Sequence, residues 1–455
     1  MALNIETIPF AIISGGSQTI NHVLHVGKRA RAVVFSHASN KEGTNSQVWG
    51  FGVDDGVKHI GRSLACSDEA FGIFVTSRDF ASIYSIVTVQ AQIFFGGAPP
   101  MLHGYVTAFN IGSFDVHYDI NNTVGANWFA TIICGDDVND VKCKVEYRDP
   151  QTEGSGVENL GFAPVALITV GTVDFNTQFS NVAGAYGENG FAVPCGDVQV
   201  ALGASCHPSD PNGSVSWVLQ NISTNAVNTD TQPGNSLVPV TKITGWSSTD
   251  GLTFLCTPIS AGDLNTGFLA IGGSAVSANL VQIVQPDSMM IQNIPIQAVQ
   301  PVAVFFASCN KTASGVMVAD AVQMFGTYDG VNSSNCWWGT QDNVPALYSY
   351  HAVRSTTRSV RMRHSTGRIA SVTDAEAAVS FSAGNLALNW TIVNDTIDRV
   401  TWALVLARNL SSVNPYSPCG AVNPNEGTGI HKIVENRTHD TIYTIPPATI
   451  DRKIP

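Results

Sequence analysis

Charge is what this chain has least of. Lys, Arg, Asp and Glu make up 13% of its 455 residues, against roughly 25% in an average soluble protein. Together with 41 glycines, that scarcity excludes a coiled coil or helical bundle, which would be rich in Glu, Lys, Leu and Ala. At 44% hydrophobic residues the chain is also too apolar to stay disordered. Basic residues are fewer than acidic ones, and the formal charge is −12. A nucleic-acid binder uses a basic surface to release counterions, so no nucleic-acid partner is expected. No apolar run approaches the roughly 20 residues of a membrane helix. The opening Met1-Ala-Leu-Asn-Ile-Glu lacks the basic start and apolar stretch of a secretory leader, so neither membrane association nor secretion is expected. The nine cysteines form no CxxC pair, which predicts reduced thiols and no zinc centre. Cys206-His207 and His22-x-x-His25 come nearest to ligand spacing and are read as ordinary packing or surface residues. Gly-x-Ser-x-Gly, His-Glu-x-x-His and phosphate-loop patterns are all missing. No catalytic residue, metal or cofactor is expected.

What is present is repetition. Three segments close alike: Gly112-Ser-Phe-Asp-Val-His-Tyr with Asn127-Trp-Phe-Ala; Gly251-Leu-Thr-Phe-Leu-Cys-Thr with Gly267-Phe-Leu-Ala; Asn385-Leu-Ala-Leu-Asn-Trp-Thr with Arg399-Val-Thr-Trp-Ala. Each pair meets across a polar turn and reaches a shared alanine at 130, 270 or 403. An earlier aromatic-Gly landmark recurs as Phe51-Gly, Tyr186-Gly and Phe325-Gly, lying 79, 84 and 78 residues before that alanine. A third landmark opens each copy: Ala30-Arg-Ala-Val-Val-Phe, Ala163-Pro-Val-Ala-Leu-Ile and Gln300-Pro-Val-Ala-Val-Phe. Short apolar, β-branched runs between turn residues read as buried strands. Asp-Gly and Asn-Gly read as hairpin turns, because Gly and Asn accept positive φ. In the first closing pair, Phe114, Val116 and Tyr118 share one face, and Trp128, Ala130 and Ile132 share another. The expectation is an all-β chain of three tandem, jelly-roll-like β-sandwich repeats over 18–145, 158–284 and 296–409. Extended arms are expected over 1–17 and 410–455, with linkers at 146–157 and 285–295.

The scarce charge is unevenly placed. Residues 160–290 carry one basic residue, Lys242, against eight acids. The third copy gathers Arg354, Arg358, Arg361, Arg363 and Arg368. On a strand Arg361 and Arg363 share a face. The run reads either as a solvated sheet face or as a contact with an acidic neighbour that sets register. Ile442 and Tyr443, in the proline-rich tail, are further candidates for an assembly contact. Trp337-Trp338, flanked by Asn335 and Gln341, is the candidate glycan platform; the competing reading is a buried pair.

Asn385-Leu-Ala-Leu-Asn-Trp-Thr, Phe268-Leu-Ala-Ile-Gly-Gly, Arg31-Ala-Val-Val-Phe and Pro301-Val-Ala-Val-Phe-Phe together resemble repeated domains in virion-associated proteins of tailed bacteriophages. The likeness covers about 380 residues. The first and third copies depart from it, ending in Cys134-Gly-Asp and Val405-Leu-Ala where Gly-Gly is expected. The resemblance implies a non-enzymatic particle component: a decoration, collar or tail-associated subunit. Such a subunit assembles in the host cytoplasm, forms a homo-oligomer and contacts other capsid, collar or tail proteins. The alternatives are a tail module that binds host surface glycans, and a capsule depolymerase.

Overall fold

A computed structural model describes residues 3–13, 16–38, 47–68, 75–82, 84–88, 102–121, 127–148, 155–171, 185–194, 198–210, 213–222, 227–229, 238–256, 266–296, 300–309, 322–340, 350–362, 375–382, 384–394 and 399–409. Among them there are thirty strands and no helix. The first ten are β1 (Leu3–Ala11), β2 (Ser17–Asn21), β3 (Arg29–Ala38), β4 (Gln47–Asp54), β5 (His59–Asp68), β6 (Val75–Ser82), β7 (Ile86–Thr88), β8 (Leu102–Asn110), β9 (Ser113–Asn121) and β10 (Asn127–Gly135). The next ten are β11 (Lys142–Arg148), β12 (Gly156–Asn159), β13 (Pro164–Gly171), β14 (Ala185–Val193), β15 (Val198–Asp210), β16 (Gly213–Ile222), β17 (Val227–Thr229), β18 (Val238–Trp246), β19 (Gly251–Cys256) and β20 (Thr266–Gly272). The last ten are β21 (Val276–Val284), β22 (Ile291–Pro295), β23 (Pro301–Cys309), β24 (Val322–Tyr328), β25 (Ser333–Thr340), β26 (Tyr350–Ser355), β27 (Val360–Met362), β28 (Ala375–Ser382), β29 (Asn385–Val393) and β30 (Val400–Arg408).

Each set of ten pairs in one pattern. The first unit has a six-stranded sheet β1-β10-β3-β4-β5-β6 and a four-stranded sheet β2-β9-β8-β7, and the other two units repeat that order strand for strand. A jelly roll sends successive strands to alternate sheets; here β3 to β6 stay in one sheet as a meander. Within the first unit Phe35, Ala130 and Ile132 of the large sheet meet Ile86, Val106, Phe114 and Val116 of the small one. Corresponding cores form in the second and third units.

The units start earlier in the chain than their landmarks suggest. Residues 3–11, expected in an arm, are β1, paired along their whole length with β10. The expected linkers hold strands as well: β11 ends in 146–148 and β12 lies at 156–159, while β22 falls in 285–295. Lys142, Lys144 and Arg148 therefore belong to the second unit, which is less depleted of basic residues than its landmarks implied.

The aromatic-Gly landmark is also partly reassigned. Phe51 pairs with Ser36 and Phe325 with Ala307. The residue at that place in the second unit is Phe191, paired with Ile168 and 79 residues before Ala270. Tyr186 and Asn189-Gly190 lie inside β14, not at a turn. The Asp-Gly turns are where expected: Gly56 and Gly330 follow β4 and β24 with φ of 79° and 91°, which only glycine adopts freely.

The described central strands of each large sheet are buried on both faces. One face packs on its own small sheet. The other meets the large sheets of the other two units in a single core containing Phe51, Phe129, Ile168, Phe191, Leu269, Phe305, Phe325, Trp338 and Trp402. Every pair of units is in contact, so the three close around this shared core. That is why β10 and β30 read as apolar runs interrupted only by Thr131 and Thr401, with eight consecutive buried residues each, where a sheet with one wet face would alternate.

Candidate functional site

Among the described residues, the sequence-predicted tryptophans and arginines do not form a common site. Trp337 and Trp338 are 2% and 4% exposed. Trp337 fills the sandwich core of the third unit. Trp338 points the other way into the shared core, where its Nε1 donates to Gln323 Oε1 at 3.0 Å. Neither presents a ring to a glycan, because the strand that carries them has no solvent face. Arg358 and Arg361 are spent within the chain. Their Nε atoms lie 2.8 and 3.5 Å from the two oxygens of Glu376, on the strand beside Arg361. Arg354 lies on β26, but its side chain is outside the described residues, as are Arg363, Arg368, Ile442 and Tyr443. His22 and His25 form no ligand pair. The buried Glu6 carboxylate accepts from Leu24 N (2.8 Å) and His25 N (3.1 Å), and His22 Nδ1 lies against His25 O. Among the described residues no group of three or more His, Cys, Asp or Glu is placed to hold a metal. Cys134 and Cys143 are free thiols, and burial pushes Cys134 up to about 12.

The distinctive chemistry lies at the junctions between units. Between the third and first, Asp329 opens the turn after β24, and its Oδ2 accepts from Thr7 N of β1 at 2.7 Å. Beside it, Thr7, Thr131 and Thr327 hydroxyls form a buried triangle with edges of 3.1, 3.1 and 3.2 Å. Between the first and second units, Asp55 occupies the same turn position and accepts from Val145 N of β11 at 2.7 Å. Burial raises its carboxyl above the usual range. The same turn also carries Lys58, which pairs with Glu146 of β11. Between the second and third, the buried Gln323 donates to Asn189 Oδ1 at 3.1 Å.

At the junction of the first and second units the surface opens into a cleft. It encloses about 470 Å³ between the start of β3 (Arg29, Ala30, Arg31), Asp55, Phe109, the start of β11 (Lys142 to Lys144) and Leu160 to Phe162. Sequence reasoning missed it, since its cations come from strands more than a hundred residues apart. The one available signal was Lys142-x-Lys144 in an otherwise acid-rich region. No family model matches the chain, and no curated protein matches it in sequence.

Proposed function

We propose that the chain is a structural, non-enzymatic building block of a tailed-phage virion, used as a decoration, collar or tail-associated subunit. The observation that supports this reading best is the closure of three like sandwiches around one shared core. Burying both faces of the central strands of the three large sheets makes a stiff block, because close-packed interiors transmit load with little compression. The phage assignment rests on the resemblance of Asn385–Thr391, Phe268–Gly273, Arg31–Phe35 and Pro301–Phe306. These segments lie in β29, β20, β3 and β23, strands that build the cores, apart from Gly273 just past the end of β20. Its partners are then capsid, collar or tail subunits, met in the host cytoplasm during assembly. The glycan-binding alternative has lost its two tryptophans to the interior.

The test is the protein composition of purified particles, from a phage lysate in which the chain is made. Quantitative mass spectrometry is expected to find it at a fixed stoichiometry with the major capsid or tail protein, and gold labelling to place it at one position. Its absence from washed particles overturns the proposal.

A further inference from the structure

We propose that the cleft between the first and second units is a binding site for a small organic anion, a carboxylate or phosphate group borne on a sugar-sized body. This is independent of the virion reading.

The first argument is charge without partners. Arg29, Arg31 and Lys142 line the cleft, and none has a side-chain hydrogen bond or ion pair among the described residues. Other cations near by are committed: Lys28 to Asp136, Lys58 to Glu146, and Lys144 to Glu146 and to Asn159 O. Asp55 is the one acid in the lining, and its oxygens are taken by the backbone N–H groups of Val57, Lys58 and Val145. In a chain of net charge −12, three unpaired cations around one cleft leave a local positive field.

The second argument is the guanidinium itself. Arg31 Nε is shielded from water and has no hydrogen-bond partner. The Nε is therefore not tied to any protein acceptor, and it is the outer nitrogens of the guanidinium, likewise without a protein partner among the described residues, that a bound anion would meet. A guanidinium meets carboxylate or phosphate oxygens through two parallel N–H bonds.

The third argument is the backbone that aims it. Arg31 is the extra residue of a β-bulge between β3 and β10: Ala32 pairs with Ile133 and Ala30 with Cys134, leaving Arg31 without an opposite number. A bulge redirects its side chain. The second and third units carry bulges at the start of the corresponding strands, and the bulged residues there are Val165 and Val302. Both valines pack on the shared core. The bulge is thus a feature of the unit, whereas arginine on it belongs to one unit, so the fold does not require it. The volume lies within the ~300–1,000 Å³ of small-molecule sites, and Phe109 and Phe162 supply apolar wall.

The test uses the full chain with four probes by isothermal titration calorimetry: inorganic phosphate, glucose 6-phosphate, glucuronate and neutral glucose. At least one anionic probe is expected to bind and glucose not to. Binding of the phosphates alone identifies a phosphate ester, and binding of glucuronate alone a carboxylate. Arg31→Val reproduces what the other two bulges carry, so it is expected to keep the wild-type melting temperature while weakening binding at least about tenfold, the loss of one charge-assisted bond. Arg29→Ala with Lys142→Ala provides a second variant that leaves the bulge untouched and is expected to weaken binding likewise. No binding of any anion at about ten millimolar, or binding that survives both variants, overturns the site.

Discussion

Replacing Asp329 by alanine tests whether the junctions hold the three units together. The side chain is 7% exposed and Thr7 is 1% exposed, so water cannot take over the Thr7 N–H when the carboxylate is removed. An orphaned buried donor costs about 1–3 kcal/mol. The same carboxylate also accepts from Val331 N and Asn332 N at 2.9 and 2.6 Å; that half-buried turn adds about 1 kcal/mol. The expected loss is about 2–4 kcal/mol, read by urea denaturation followed through tryptophan fluorescence. Because β1 is an edge strand of the first unit and Asp329 belongs to the third, the whole transition moves to lower urea as one. Asp55→Ala is expected to lose a similar amount at the neighbouring junction. The two share no partner, so their losses should add to within about 0.5 kcal/mol. A loss below about 1 kcal/mol for Asp329→Ala refutes the idea that this carboxylate clamps two units.

Three further outcomes follow from local geometry. A Cβ on Gly326 would sit 1.9 Å from Ser359 O, and one on Gly52 equally close to Ser85 O, so Gly→Ala at either site should destabilise by more than about 2 kcal/mol; melting temperatures within a degree of wild type would contradict this. Trp338→Phe strips Gln323 of its donor, whereas Trp337 Nε1 has no partner to lose, so Trp338→Phe should cost about 1 kcal/mol more than Trp337→Phe, and the reverse order would be wrong for this packing. Burial lowers the His103 pKa to about 4, against ~6.5 unfolded. The unfolded chain therefore binds more protons between those values, and stability falls by up to about 3 kcal/mol as pH drops from 6.5 to 4; His103→Gln should flatten that slope, and an unchanged slope would remove His103 as its source.

The strands that were legible in the sequence are the buried ones. Phe114, Val116 and Tyr118, with Trp128, Ala130 and Ile132, do line one core, because long apolar strands keep their period whatever they pack against. The second strands of the later two units were hidden for the opposite reason. β12 and β22 are four- and five-residue edge strands with half-buried, alternating patterns, and β22 ends on Pro295. Edge strands carry charge and proline to block further pairing, which is also the composition of a linker. The cleft was illegible because it depends on one extra residue in a strand, and the bulge that aims Arg31 leaves no mark in the local pattern. The tryptophan pair was ambiguous from the start: a strand with two buried faces hides neighbours that alternation would place on opposite sides.

Joining three sandwiches in one polypeptide has a consequence that a trimer of identical chains could not share. In a symmetric homotrimer any substitution appears three times, so a guanidinium at the bulge would enter all three positions at once. With the units on one chain, the bulges at Arg31, Val165 and Val302 can change separately. Two keep the valine that seals the centre while the third is released for another task. Covalent linkage thus turns a threefold scaffold into one with a direction: a single distinguishable side, which any partner could use to tell one orientation of the block from the other two.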